Sequence, residues 1–342
     1  MRRNTRLLAL GVLSTVLLAG CGSDDSASKS SSSSATTAAE TPLTVAADKV
    51  ASMSAIKVDD KNPKAPKLTL TKTPFHVNKT TKNVVTAGTG AEVKATDIAY
   101  VSYVAVNGTN GKELLSTYDT NDVAVLMNDK TQFPGFVTAL KGTKVGTGMD
   151  IAIPPAEGFG ATGSQQLGVT AKDTLVFRMT VKGTAAVLDK PEGTTVAPKA
   201  GLPTVVVSDG NQSKKPATIT MPKNGAKVAT APKTLVSQDL ITGKGRKIVE
   251  GETVKVRYTG VIWNTGKAFD SSATQGGAPV DFGLVDGQMI PGFIKGLVGK
   301  TVGSRVLLVL PPAEGYGTAG NTQAGIKGTD TLVFVVDILA GL

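Results

Sequence analysis

Residues 154–163 read Pro-Pro-Ala-Glu-Gly-Phe-Gly-Ala-Thr-Gly, and residues 311–320 read Pro-Pro-Ala-Glu-Gly-Tyr-Gly-Thr-Ala-Gly. Each stretch is followed by Asp-Thr-Leu-Val-Phe, at Asp173–Phe177 and Asp330–Phe334. Each is preceded by Pro-Gly-Phe, at Pro134–Phe136 and Pro291–Phe293. The offset between the copies is a constant 157 residues. The 342-residue chain therefore repeats a module of roughly 110 residues, which is ordinary domain size. The differences between the copies matter as much as the likeness, because they fall on residues that can do chemistry.

Working outward from the better-kept second copy, the patterns predict mainly strands. Val254-Lys-Val-Arg-Tyr258 alternates apolar and polar residues, as a half-buried strand does. Thr265-Gly266 fits a hairpin turn, and Trp263 beside it is expected to cap an exposed hairpin. Arg305–Leu310 and Thr331–Leu339 are apolar runs rich in β-branched residues. Pro291–Val298 predicts one short helix, with Pro291 in its first turn and Phe293, Ile294 and Leu297 on one face. A curved antiparallel sheet packed on a short helix is an α+β arrangement, here expected twice.

The ends of the modules show in composition. Arg2, Arg3 and Arg6 precede the apolar run Leu7–Leu18, which ends in Leu18-Ala19-Gly20-Cys21. Residues 1–20 read as a secretory leader. Residues 21–64, opening on a Ser/Ala/Thr-rich stretch, are expected to form a disordered tether. The first module is placed at 65–183, a Pro/Lys-rich linker at 184–232, and the second module at 233–342. Cys21 is the sole cysteine, so no disulfide is expected.

Several function classes are disfavoured. The net charge is +10, but aromatics are only 4% and the lysine clusters sit in the linkers, so no nucleic-acid partner is expected. His76 is the only histidine, and without a second His or a nearby Cys it supports neither a metal set nor a triad. Gly158–Gly163 and Gly315–Gly320 match G-x-G-x-x-G, yet no strand-to-helix context surrounds them, so they read as tight surface loops. No cofactor is called for.

What remains in the second copy is a set of aromatics with one carboxylate: Tyr258, Phe269, Asp270, Phe282, Phe293, Tyr316 and Phe334, with Ile290 among them. They are either core or the lining of one concave face, and Asp270 argues against plain core because a buried carboxylate needs partners. The segments Val254–Gly260, Gly266–Ser272, Gln288–Phe293, Pro312–Gly317 and Thr331–Phe334 resemble the FKBP-type peptidyl-prolyl cis–trans isomerases in order and spacing. The resemblance covers nearly all of 234–341 and, more faintly, about 80–182. It implies two domains, each a twisted antiparallel sheet of about five strands wrapped around a short helix. It implies a proline pocket in which Tyr258, Phe269, Asp270, Ile290 and Tyr316 are catalytic and Val280, Phe282, Met289, Ile326, Phe293 and Phe334 bind substrate. Phe293 stands where the best-known members carry Trp, Val280 where a larger side chain is usual, and Gln288 where an acidic residue is common. Proline-containing polypeptides, unfolded exported proteins and macrolide inhibitors are the implied partners. Cys21 matches the lipobox of bacterial lipoproteins, and the two-module plan resembles those of actinobacteria. Lipidation of Cys21 would hold the chain on the outer face of the cell membrane.

In the first copy the resemblance weakens at the site. Leu114-Leu115 align with Phe269-Asp270, Phe159 with Tyr316, Phe133 with Ile290 and Val125 with Phe282. Tyr103, Phe136 and Phe177 keep the apolar outline. This copy is expected to fold, and to bind or act as a spacer rather than catalyse.

Overall fold

The computed structural model describes residues 41–120 and 122–342. The leader, Cys21 and the tether up to residue 40 lie outside the described residues. The chain divides into two units, one ending at Ala185 and the other running from Ala186 to Leu342.

The first unit begins with the hairpin β1 (Ile56–Asp59) and β2 (Lys67–Leu70). Its sheet uses β3 (Thr81–Thr86), β4 (Asp97–Asn107), β5 (Glu113–Ser116), β6 (Val123–Leu126), β7 (Gly148–Ile153) and β8 (Leu175–Ala186), with helix α1 (Pro134–Leu140) between β6 and β7. The strand order is β3-β7-β8-β4-β5, and β6 also pairs with β4.

The second unit begins with the short strands β9 (Gly193–Thr195), β10 (Thr204–Val206), β11 (Thr218–Thr220), β12 (Lys223–Asn224) and β13 (Lys227–Val228). Then follow β14 (Val236–Gly243), β15 (Thr253–Ile262), β16 (Ala268–Ser271), β17 (Val280–Gly283), helix α2 (Pro291–Leu297), β18 (Arg305–Leu310) and β19 (Leu332–Gly341). Its sheet runs β9-β14-β18-β19-β15-β16, with β17 also on β15. The expected five-strand sheet thus has six and seven strands. The first edge is shared by two short strands in succession, and β9 adds a further strand in the second unit.

The helix lies close to the sheet because two of its residues have no side chain. A Cβ on Gly296 would stand 2.6 Å from the Leu308 side chain, and one on Gly292 would collide with Leu310. Phe293 and Leu297 then enter the inner core with Val256, Val306, Leu308, Phe334 and Val336.

The outer face of each sheet is also buried, in part by segments that the sequence places outside the two modules. Residues 184–232, expected as an extended linker able to pack partly on a neighbour, do pack on the second sheet. Ala217, Met221, Val205 and Ile219 pack over Val261, Leu307, Val309, Val333 and Val335 on the second sheet, and β9 extends that sheet beside β14. Part of the 21–64 tether is likewise ordered, since Ile56 joins Leu68, Phe75 and Val77 on the outer face of the first sheet. Apolar residues spaced among the prolines and lysines have somewhere to go, and burial of their surface is favourable. Trp263 does not cap an exposed hairpin. It is fully buried under this cover, and its Nε1 donates to the Ala229 carbonyl at 2.7 Å. His76 is half-buried in an extended stretch, its carbonyl accepting from the Ala51 N–H.

Candidate functional site

The antiparallel register assembles the site. Gly260 on β15 lies opposite Asp270 on one side and Phe334 on the other, and Val254 lies opposite Phe282. Side chains alternate along a strand, so Tyr258 and Gly260 share the inner face. Five rings meet there. Phe269 and Phe334 are edge-on at 5.4 Å, Phe293 and Phe334 at 4.7 Å, and Phe282 and Phe293 at 5.4 Å. Tyr258 tilts against Phe282 at 5.2 Å and Phe334 at 6.4 Å. These are favourable aromatic geometries. Phe293, Phe334 and Tyr258 are buried, whereas Phe269 and Phe282 remain partly open.

The carboxylate sits at the edge of this ring set. The Tyr258 hydroxyl donates to Asp270 Oδ2 at 2.6 Å, and Gln275 Nε2 donates to Asp270 Oδ1 at 2.7 Å. Burial, followed by the bond to Asp270, raises the Tyr258 pKa above the ordinary phenol value, so this hydroxyl stays protonated as a donor. Val280, Met289 and Ile290 are partly buried against the same cluster. Ile290 precedes α2 as its N-cap. Ile326 is 3% exposed and is part of the packed core. Tyr316 is the most open of the set, at 36%, in the loop after the Pro311-Pro312 turn. The structure thus brings together the residues read from the sequence, with Tyr316 at the rim.

The first unit repeats the outline without the carboxylate. Ala105 lies opposite Leu115 as Gly260 lies opposite Asp270, and Ala99 lies opposite Val125 as Val254 lies opposite Phe282. Tyr103, Phe136 and Phe177 stand 5.0–5.8 Å apart, and Phe133 is edge-on to Phe159 at 4.7 Å. With Leu114 and Leu115 they line a shallow apolar concavity. Burial pushes the Tyr103 hydroxyl up to about 12, and among the described residues no carboxylate lines the concavity around it.

Two residues of the site were not singled out from the sequence. Gly260 is one: a Cβ there would lie 2.7 Å from Phe269 Cζ and 2.8 Å from Phe334 Cε1. A glycine inside a strand pattern is itself a sign of such close approach. Gln275 is the other, five residues after Asp270 in a turn, where nothing in the sequence marks it.

A family model described as FKBP-type peptidyl-prolyl cis-trans isomerase matches residues 90–182 and 244–339, together more than half the chain. An FK506-binding protein of Streptomyces anulatus is 38% identical over 109 residues, covering 32% of this chain and 87% of the relative. A probable FK506-binding protein of Corynebacterium glutamicum is 38% identical over 113 residues, covering 33% of this chain and 92% of the relative. The crystal structure of FkpA from Escherichia coli is 40% identical over 34% of this chain and 52% of its own, at a TM-score of 0.29. The family match falls on both ring sets and both helices, and the chain belongs to the FKBP-type peptidyl-prolyl cis-trans isomerases.

Proposed function

We propose that the isomerase activity of this chain resides in the second unit, and that the first unit binds apolar or prolyl segments without turning them over. One observation carries this reading. The second ring set holds a carboxylate bonded to a ring hydroxyl, and the first has Leu115 at the matching register position.

The chemistry needs no nucleophile. Rotation about an X–Pro bond faces a barrier of about 18–20 kcal/mol because the amide is partly double-bonded. The twisted amide has lost that charge separation, so a dry aromatic site favours it over the polar planar form. Phe269, Phe293 and Phe334 hold the proline ring. The Ile290 backbone N–H and the Tyr316 hydroxyl orient peptide carbonyls. Asp270, paired with Tyr258, polarises groups near the rotating carbonyl. Tighter binding of the twisted form than of the planar one is the source of the acceleration. The first unit has the concavity and a buried tyrosine, but Leu115 and Phe159 replace the carboxylate and the rim hydroxyl, which suits holding rather than conversion.

Proline-containing exported polypeptides are the proposed substrates, and the proposed location is the outer face of the cell membrane, through lipidated Cys21. The basic start, the apolar run and the cysteine at its end support this. Cys21→Ser is expected to release the protein from the membrane fraction, and retention there would discard the anchor.

The test of the division of labour uses the full chain and cis–trans exchange of an Ala-Leu-Pro-Phe peptide. Asp270→Leu combined with Tyr316→Phe is expected to remove the acceleration. Acceleration that survives in the folded double variant would move catalysis to the first unit.

A further inference from the structure

Asp270 is held by two donors, and only one belongs to the core. Tyr258 lies on β15, whereas Gln275 is the exposed end of the 3-10 turn Ser272–Gln275 after β16. A glutamine on a loose turn would sample many rotamers and hold nothing. This turn is tied down. Ser271 Oγ accepts from the Ala273 N–H at 3.2 Å, and the Gly277 N–H donates to the Ser272 carbonyl at 2.8 Å. Beneath it, Ser272 Oγ accepts from the Tyr258 N–H at 3.1 Å and Ser271 Oγ donates to the Tyr258 carbonyl at 3.1 Å.

The remaining ties run partly through Arg257 on β15 to residues 189–217, which lie ahead of the matched stretch that starts at 244. Arg257 Nε donates to the Gly277 carbonyl at 2.8 Å. Its Nη1 donates to the Asp189 carbonyl and, at 3.1 Å, to Asn211 Oδ1. Asn211 Nδ2 closes the clasp on the Asp189 carbonyl at 3.0 Å. Next to it, the fully buried Gln212 accepts from the Thr259 hydroxyl at 2.7 Å, and Thr259 Oγ1 accepts from the Ala217 N–H at 2.9 Å. Gly277, at φ +75°, lies so near the Ser213 carbonyl that any side chain would collide with it.

A carboxylate turns readily about its last torsion, and one donor leaves that rotation half-free. Donors on both oxygens fix it. We propose that residues 189–217 are a working part of the isomerase: through Asn211, Gln212 and Arg257 they brace the 271–277 turn, and Gln275 on that turn is a positioning residue that sets Asp270 against Tyr258. This rests on the second unit being the isomerase.

The test compares Asn211→Leu, Gln275→Leu and the double variant in the full chain. It reads kcat and KM on the same peptide, and hydrogen exchange of the segment 270–277. Each single change is expected to lower kcat about tenfold with KM nearly unchanged, the size of one lost bond to a charged group. The double variant should be no slower than Gln275→Leu, because both changes act through one contact. Asn211→Leu should also speed exchange in the turn. If that variant fails to fold, Asn211→Ser removes the same clasp with less intrusion. Unchanged exchange would overturn the brace. Faster exchange with kcat intact, or losses that simply add, would overturn the positioning role. A parent chain without acceleration would sink the isomerase assignment to the second unit and the positioning role with it, while the exchange result would still decide whether the brace exists.

Discussion

Replacing Gly260 by alanine places one methyl group between the two rings proposed to grip proline. Its Cβ would stand 2.7 Å from Phe269 Cζ and 2.8 Å from Phe334 Cε1. Carbon atoms settle at about 3.5 Å or more, so each ring must withdraw by about 0.7 Å. They cannot withdraw independently, since they are edge-on to each other at 5.4 Å and Phe334 also rests on Phe293 at 4.7 Å. Overpacking of this kind costs about 1–3 kcal/mol. If the displaced rings are those that hold the twisted amide, the same energy appears as a fall of about 5- to 150-fold in kcat/KM. The assay is peptide exchange by the full chain, run beside urea denaturation so that loss of fold and loss of function are read separately. A folded Gly260→Ala chain with kcat/KM within about twofold of the parent would refute the reasoning, because it would show that these rings do not shape the reacting geometry.

Trp263→Ala is expected to destabilise the second unit by about 3–5 kcal/mol, since it empties a fully buried site and strands the Ala229 carbonyl; a urea midpoint unchanged from the parent would contradict this. The Arg305–Asp337 pair is buried, with bonds of 2.6 and 2.9 Å, so Asp337→Ala should cost about 3–5 kcal/mol, whereas Arg305→Met with Asp337→Leu should restore most of it in the same measurement. Asp173 gives the first unit a pH dependence. Burial pushes its carboxyl up, but bonds from the Thr109 hydroxyl, the Thr170 N–H and hydroxyl and the Asn107 side chain outweigh it and hold the pKa below the usual range. A depressed folded pKa stabilises above the unfolded value and is lost as pH falls through the folded one, so stability should drop below about pH 4. Asp173→Asn should flatten that drop in an acid titration followed by circular dichroism, and an identical acid profile would discard the assignment.

The inner half of each unit was legible in the sequence because its signals are local. Arg305–Leu310 is a strand with the bounds its composition predicts, and the helix starts at Pro291 because that residue suits a first turn. Tyr258, Phe269 and Asp270 were readable as a constellation, since a carboxylate among rings requires a partner. The outer half was not read, because its partners lie far away in a stretch whose prolines and lysines look like a linker. One sign was present. Leu332-Val-Phe-Val-Val-Asp-Ile-Leu is apolar on both faces, whereas an antiparallel strand with a wet outer face alternates. A strand buried on both sides needs a cover, and the residues that supply it are Ala217, Met221 and their neighbours. Arg257 follows the same logic: it falls on the outward side of the Val254–Tyr258 alternation, yet it is buried, because the clasp of Asp189 and Asn211 encloses it. Gln275 left no mark because its role depends on where a turn is held, which no spacing records.

The central strand of each sheet is also the last to be made. β8 lies between β7 and β4, and β19 between β18 and β15. A chain that leaves the ribosome from its N-terminus can complete the first sheet once residue 186 has emerged, while the second half is still unmade. The second sheet waits for Gly341, the last residue of β19. Phe334, which touches Tyr258, Phe269 and Phe293, rides on that strand. Until β19 has emerged, the ring set has a gap at its centre, and the outer-face residues Leu307, Val309 and Trp263 have no finished plate to share with their cover. The ring set therefore comes into being only once β19 has been made, and a polypeptide stalled before that strand would carry the complete first unit and a second one that lacks its central strand.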